Sequence, residues 1–359
     1  MLAARPQRVH AGLREPSTGS GVGTVCAGAP GPAAPGRAAP DRVLDHRLDR
    51  CYTATVTLHR ATRPEHEAGR LADLGPADRL RAIGTVRKGD VFTLGLELFG
   101  RTPTPAYPGS PTPLHIMYQD WSHYEKGVLQ VDAGNVAWVD DGVLLNCHGG
   151  THLDARGHVI VDGTIAGGVP ASSTVGGLAH ADVAAVARLG VVCRGVLVDL
   201  CKENGGAPLP RDHQVRLEEI ETCLQHEDVE VGAGDMLLLR TGSLERFREL
   251  GSAALFTDYS EPGLSYDDAL LEWVDAHGVL GLGSDTLANE LPGDPATEEE
   301  FSLHHHLLRD RGLQFHEVLW LADLAADCAG DGRYVGLYVA APLKLVGASG
   351  SPVNPLFVK

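Results

Sequence analysis

HGGTHLDARGH, residues 148–158, brings four side chains of metal-binding type into eleven positions: His148, His152, Asp154 and His158. Three imidazoles and a carboxylate form a donor set suited to Zn2+ or Mn2+. The adjacent Gly149 and Gly150 disfavour a helix, so His148 and His152 do not share a helical face as the two histidines of an HExxH helix do. If the chain enters a strand after the glycines, His152 and Asp154, two apart, point to the same side. The glycine pair then lets His148 fold back to the same point. The expectation is a three-ligand centre with a coordination position left open, where water is acidified to a pKa of about 7.

Around this segment apolar runs of strand length alternate with helical stretches. Residues 195–200 (GVLVDL), 235–242 (DMLLLRTG) and 279–285 (VLGLGSD) read as buried strands, and residues 216–225 and 264–278 as helices, the second ending at Gly278. Residues 71–83 predict a short helical stretch interrupted at Gly75-Pro76, and residues 91–99 a strand facing a core. Residues 102–113 form a proline-punctuated loop able to hold Tyr107 stiffly. Farther on, residues 302–312 predict a helix stopped by Gly312, and residues 334–345 a strand that closes the sheet. The pattern is that of a mixed α/β domain. Residues 1–60, rich in Ala, Pro, Gly and Arg without periodicity, are expected to be disordered or a non-native extension, leaving residues 61–359 as one domain.

The formal net charge of −17 repels phosphate backbones and anionic headgroups, which argues against nucleic acid or a membrane surface as partner. No apolar run approaches the roughly 20 residues of a membrane span, and the first residues lack the apolar stretch of a secretion signal, so the expected location is cytoplasmic. The seven cysteines are scattered without a CxxC pair and read as reduced thiols, with Cys147 a packing residue. No GxSxG elbow occurs, which disfavours serine catalysis.

HGGTHLDARGH resembles the HxGTHxDxPxH signature of the cyclase family, which includes arylformamidases (kynurenine formamidases), isatin hydrolases and a longer branch. Further stretches are similar to that family: TPAYPGSP (104–111), RGVLVDL (194–200), GDMLLLRTG (234–242), EPGLS (261–265), GLGSDTLANE (281–290), residues 304–324, and APLKLVGASGSPVNP (341–355). The resemblance runs from about Val91 to the C-terminus. It implies a β-rich, swivelling β/β/α fold with a mixed sheet and flanking helices, and a homo-oligomer, dimer or tetramer. It also implies a hydrolase of small amides, formamides or cyclic amides, with one or two Zn2+ or Mn2+ ions per subunit.

By the same resemblance His148, His152 and Asp154 bind the first ion and His158 is the general acid/base. A later His and Glu317 join the aspartate around a second ion. The HxxLL register selects His304 for that histidine, while spacing back from Glu317 selects His305; His304 is preferred. Arg156 stands where many members have Pro, and a fixed cation there would lower a neighbouring carboxylate's pKa or hold an anionic substrate group. With Tyr107, His115 and Trp121 it completes the expected substrate-binding set. Asp285 and Glu290 read as structural caps and His316 as a bystander. A metal-dependent cyclase or dehydratase, or a non-catalytic metal-binding relative, are the rival functions.

Overall fold

The computed structural model describes residues 67–100, 104–111, 113–250, 260–297 and 299–359. The expected disorder or non-native origin of residues 1–60 lies outside them. Nine strands form one mixed sheet: β1 (Val91–Thr93), β4 (His152–Asp154), β7 (Val191–Asp199), β9 (Met236–Arg240), β11 (Gly281–Ser284), β12 (Gln314–Glu317), β13 (Val335–Ala340), β14 (Gly350–Pro352) and β15 (Leu356–Val358), in spatial order β1-β15-β13-β7-β9-β11-β12-β4-β14. The central four, β7-β9-β11-β12, run parallel, and every other pairing within this sheet is antiparallel. Three short pairs stand apart: β2 (Leu114–Gln119) with β3 (Asp140–Leu144), β5 (Thr164–Ile165) with β6 (Val169–Pro170), and β8 (Gln214–Val215) with β10 (Gly263–Leu264).

A parallel strand covered on both faces has no polar side, and the run Met236-Leu237-Leu238-Leu239 shows this directly. Met236 and Leu238 join one core cluster, with Cys193, Leu197, Tyr338 and Phe357. Leu237 and Leu239 join the other, with Val196, Val198, Leu282 and Phe315. Helices Val183–Leu189 and Ala322–Asp331 cover the first face through Val183, Val186, Leu324 and Cys328. Helices Leu217–His226 and Asp268–His277 cover the second through Ile220, Leu224, Leu270 and Val274. Each of these side chains contributes about 1.5–3 kcal/mol when fully buried, so the sheet is a rigid platform for whatever its ends carry. The mixed α/β class, with flanking helices, is as the sequence predicts.

Three local readings change. The strand expected over residues 91–99 ends at Thr93. Beyond it Gly95 packs so closely on Asn354 that an added Cβ would stand 2.6 Å from its Oδ1, and the Leu96 N–H donates to Thr151 Oγ1 at 2.9 Å. The chain is drawn off the sheet edge toward the histidine segment. Residues 335–340 do not close the sheet: they pair on both sides, with β7 and β15, and β1 and β14 hold its edges. The helix expected over residues 302–312 is a π-helix, His304–Asp310. The described cysteines 147, 193, 201, 223 and 328 are free thiols. No helix among the described residues is long and apolar enough to cross a membrane.

Candidate metal centre

Strand β4 lies between β12 and β14, and its register builds the centre. His152 faces Glu317 across one antiparallel pair, and Asp154 faces Gly350 across the other. Residues directly opposite in such a pair project to the same side, and so do residues two apart in a strand. His152, Asp154 and Glu317 therefore share one face. Leu153 and its opposite number His316 share the other face, where Leu153 enters the core and His316 Nδ1 hydrogen-bonds the Tyr338 hydroxyl at 2.6 Å. Burial pushes the His316 imidazole down to about 3; it is a core residue, off the face that carries the cluster.

The loop before β4 turns back at Gly150, whose φ of 65° is the left-handed conformation that side chains resist. Its N–H donates to Pro105 O at 2.7 Å, and a Cβ there would meet Thr104 Cγ2 at 2.7 Å. Thr151 Oγ1 donates to Val318 O at 2.6 Å. The turn brings His148 Nδ1 to 2.7 Å from Asp154 Oδ1. His148 Nε2 reaches Ser349 Oγ at 2.8 Å. His152 Nδ1 donates to Gly150 O at 2.8 Å, which orients the ring and leaves Nε2 facing Asp154 Oδ1 (3.5 Å) and Glu317 Oε2 (3.2 Å).

His304 arrives from the π-helix. The Glu290 carboxylate accepts the backbone N–H groups of Leu303 and His304, both at 2.7 Å, and the His304 Nδ1–H at 2.5 Å. This anchors the helix start and leaves His304 Nε2 3.4 Å from both Asp154 Oδ2 and Glu317 Oε1. Asn289 Nδ2 donates to Glu317 Oε1 at 3.1 Å. Ligands at 2.0–2.1 Å around a tetrahedral ion stand about 3.3–3.4 Å apart, so the spacings of 3.2–3.5 Å among His152, His304, Asp154 and Glu317 fit a divalent cation, whereas His148 is hydrogen-bonded directly to Asp154. Two donor groups sharing Asp154 result: His148, Asp154 and His158, and His152, Asp154 and Glu317.

Charge follows the same pattern. Burial would raise the Asp154 carboxyl, but His148, His152 and His304 outweigh it and hold it well below the usual range. Burial would lower His152, but Asp154 and Glu317 lift it to about 10. His304 is lifted well above its ordinary value against its own burial, by Asp154, Glu290 and Glu317. The carboxylates thus demand positive charge here, whether from protons or from a cation. His158 behaves oppositely. Its ring stacks on His148 at a centroid distance of 4.0 Å, and desolvation by the surrounding protein pushes it down to about 4. One side of that ring opens to the cavity, and at pH 7 the imidazole is neutral.

The cluster lies at the base of a cavity of about 700 Å3. His148, His152, His158, His304 and Glu317 border its base, Val159, Val161 and Leu287 add apolar wall, and the exposed Tyr107, Glu299 and Glu300 stand at the rim. The Cyclase family model matches residues 101–290, more than half of the chain. The chain belongs to the cyclase family. A crystal structure described as a novel cyclase is 27% identical to this cyclase-family chain, with a TM-score of 0.74 over 82% of this chain and 97% of the other. An isatin hydrolase bound to the product analogue thioisatinate is 20% identical, with a TM-score of 0.55 over 79% and 98%. Isatin hydrolase A from Ralstonia solanacearum is 23% identical, with a TM-score of 0.54 over 79% and 95%. Both isatin hydrolases share the fold. A search of curated protein sequences gave no match.

Of the residues singled out from the sequence of this cyclase-family protein, His148, His152, Asp154, His158, His304 and Glu317 come together. His305 turns away, its Nδ1 3.1 Å from Glu299 Oε2. Tyr107 borders the cavity, edge-on to Phe301. His115 pairs with Asp141 on the β2–β3 hairpin and Trp121 stacks on Tyr124 beside it; neither borders the cavity. Arg156 also faces elsewhere. It is buried, its Nη2 donates to Arg309 O at 2.8 Å, and it ties the 156–158 turn to the end of the π-helix. Sequence reasoning missed Ser349 and Gly350, which support His148, and the hold of Glu290 on His304, which is more than a cap. No local signal marks these roles: Ser349 lies 201 positions from His148, and Glu290, 14 positions before His304, reaches it only through the path of the intervening loop.

Proposed function

We propose that this protein is a metal-dependent hydrolase of a small amide, formamide or cyclic amide. The observation that carries the reading is the convergence of His148, His152, Asp154, His304 and Glu317 at the base of a cavity that also presents the neutral His158. Zn2+ or Mn2+, one or two per chain, would be held by His148, His152, Asp154, His304 and Glu317 and would supply Lewis acidity and lower the pKa of water to about 7. His158 takes the proton from the attacking water and returns it to the leaving nitrogen, a task suited to an imidazole that is unprotonated at rest. Tyr107, Phe301, Ile160 and Leu287 offer a largely apolar enclosure for a flat acyl or aryl group. The fold shared with isatin hydrolases supports a cyclic amide of that kind, and N-formylkynurenine is the formamide to set beside it.

We read the active species as a homo-oligomer in the cytoplasm. The β2–β3 hairpin leaves Ile116, Tyr118, Trp121, Trp138, Val139 and Val143 exposed. Two strands alone are marginal in water, and an apolar patch of this kind is best covered by another copy. Light scattering on the purified chain tests this directly.

The functional test is metal analysis followed by turnover of isatin and N-formylkynurenine before and after chelation. His158→Ala is expected to keep metal and fold while turnover falls about 10²- to 10⁴-fold. Loss of metal in that variant would move His158 into the ligand set. A metal-loaded protein inert to every amide and lactam offered would sink the hydrolase reading.

A further inference from the structure

The π-helix carries two histidines that the Asp154 cluster does not use. His305 Nδ1 lies 3.1 Å from Glu299 Oε2, and His306 Nε2 lies 3.5 Å from the same oxygen. Consecutive residues of a regular α-helix point about 100° apart, yet here the two rings stack with centroids 4.2 Å apart and an angle of 22°. Three donor groups therefore gather on one side of the chain, in a set distinct from those around Asp154.

We propose that Glu299, His305 and His306 form a separate binding site for a borderline divalent cation of the Zn2+ type at the rim of the cavity. The donor chemistry is two imidazoles and one carboxylate, which prefers Zn2+, Co2+ or Ni2+ over Mg2+ or Ca2+ and leaves a coordination position open. The carboxylate-to-imidazole spacings bracket the roughly 3.3–3.4 Å edge of a tetrahedral site with bonds of 2.0–2.1 Å. A supporting acceptor is also in place. His305 Nε2 lies 3.3 Å from Asp310 Oδ2, the carboxylate-behind-imidazole arrangement that orients metal-binding histidines and raises their basicity. Asp310 is five residues on from His305, and the wider π turn is what brings them together.

Glu299 and His305 also border the cavity that contains the Asp154 cluster, whereas His306 does not. An ion held here stands where ligands enter, so rising free Zn2+ should obstruct the cavity after the deeper centre is filled. This site uses none of the residues of the proposed catalytic centre and stands or falls separately.

The test is a zinc titration of the full chain after removal of metal, followed by calorimetry and by elemental analysis after gel filtration. The wild type should show a class of sites that is weakened about 100-fold by His306→Ala or by Glu299→Gln, while the uptake that Asp154→Asn weakens stays intact in both. Glu299 is an exposed side chain, so its variant guards against misfolding of the histidine variant, with near-ultraviolet circular dichroism as the check. If both variants match the wild type in stoichiometry and affinity, the rim site is overturned, and the Asp154 centre remains to be judged by its own variant. If wild type gains an ion that both variants lose, the site stands even should Asp154→Asn leave uptake unchanged.

Discussion

Replacing Asp154 by Asn should dismantle the metal centre without unfolding the chain. The side chain is almost wholly buried, with Oδ1 2.7 Å from His148 Nδ1 and 3.5 Å from His152 Nε2, and Oδ2 3.4 Å from His304 Nε2. The amide has the same shape but no charge, and either orientation of it sets an NH2 group against a ring nitrogen that a cation would otherwise share. A four-ligand zinc site is worth about 10–16 kcal/mol, so one ligand's share is roughly 2.5–4 kcal/mol, a loss of about 10²- to 10³-fold in affinity. At a metal concentration 1,000 times the wild-type Kd, bound metal stabilises the native protein by about 4.1 kcal/mol. At the same concentration the variant should gain only about 0.4–1.4 kcal/mol. Metal content after dialysis and denaturant unfolding with and without metal measure both quantities. Equal metal content and equal stabilisation in the two proteins would refute the claim that these side chains share a centre.

Other outcomes follow from single contacts. Gly350→Ala would place a Cβ 2.7 Å from His148 Cε1 and 2.9 Å from Leu153 O; metal affinity should fall about 10- to 100-fold, with about 1–3 kcal/mol of stability lost to overpacking, read by the same two assays. Glu227, buried with its Oε1 accepting the Asp199 N–H at 3.1 Å, is pushed up to about 7, chiefly by burial. Between its ordinary value of 4.5 and about 7 the native state therefore holds a proton that the unfolded chain gives up, so stability should decline as pH rises through that window. In Glu227→Gln this part of the pH dependence should vanish, by on the order of 2–3 kcal/mol between pH 4.5 and 8; identical stability profiles for the two proteins would exclude it.

Much of the centre is legible in eleven consecutive residues. A strand alternates with period two, which alone sends His152 and Asp154 to one side and Leu153 to the other, as found. The uniformly apolar Met236-Leu237-Leu238-Leu239 likewise announces a strand covered on both faces. Such facts are local, since steric rules within one element set the relative directions of its side chains.

The remainder depended on packing between distant parts of the chain. Which of His304, His305 and His306 enters the cluster was decided by the π turn and by Glu290, whose carboxylate holds both the helix start and the His304 ring. Arg156, adjacent in sequence to the ligands, was drawn to the carbonyl of Arg309. Ser349 and Gly350 reached His148 only because β14 pairs with β4. Spacing within an element fixes directions but carries no information on which element lies opposite. That choice is made by the joint burial of apolar surface from residues hundreds of positions apart, and here it is what turned a histidine-rich segment into a centre with a cavity above it.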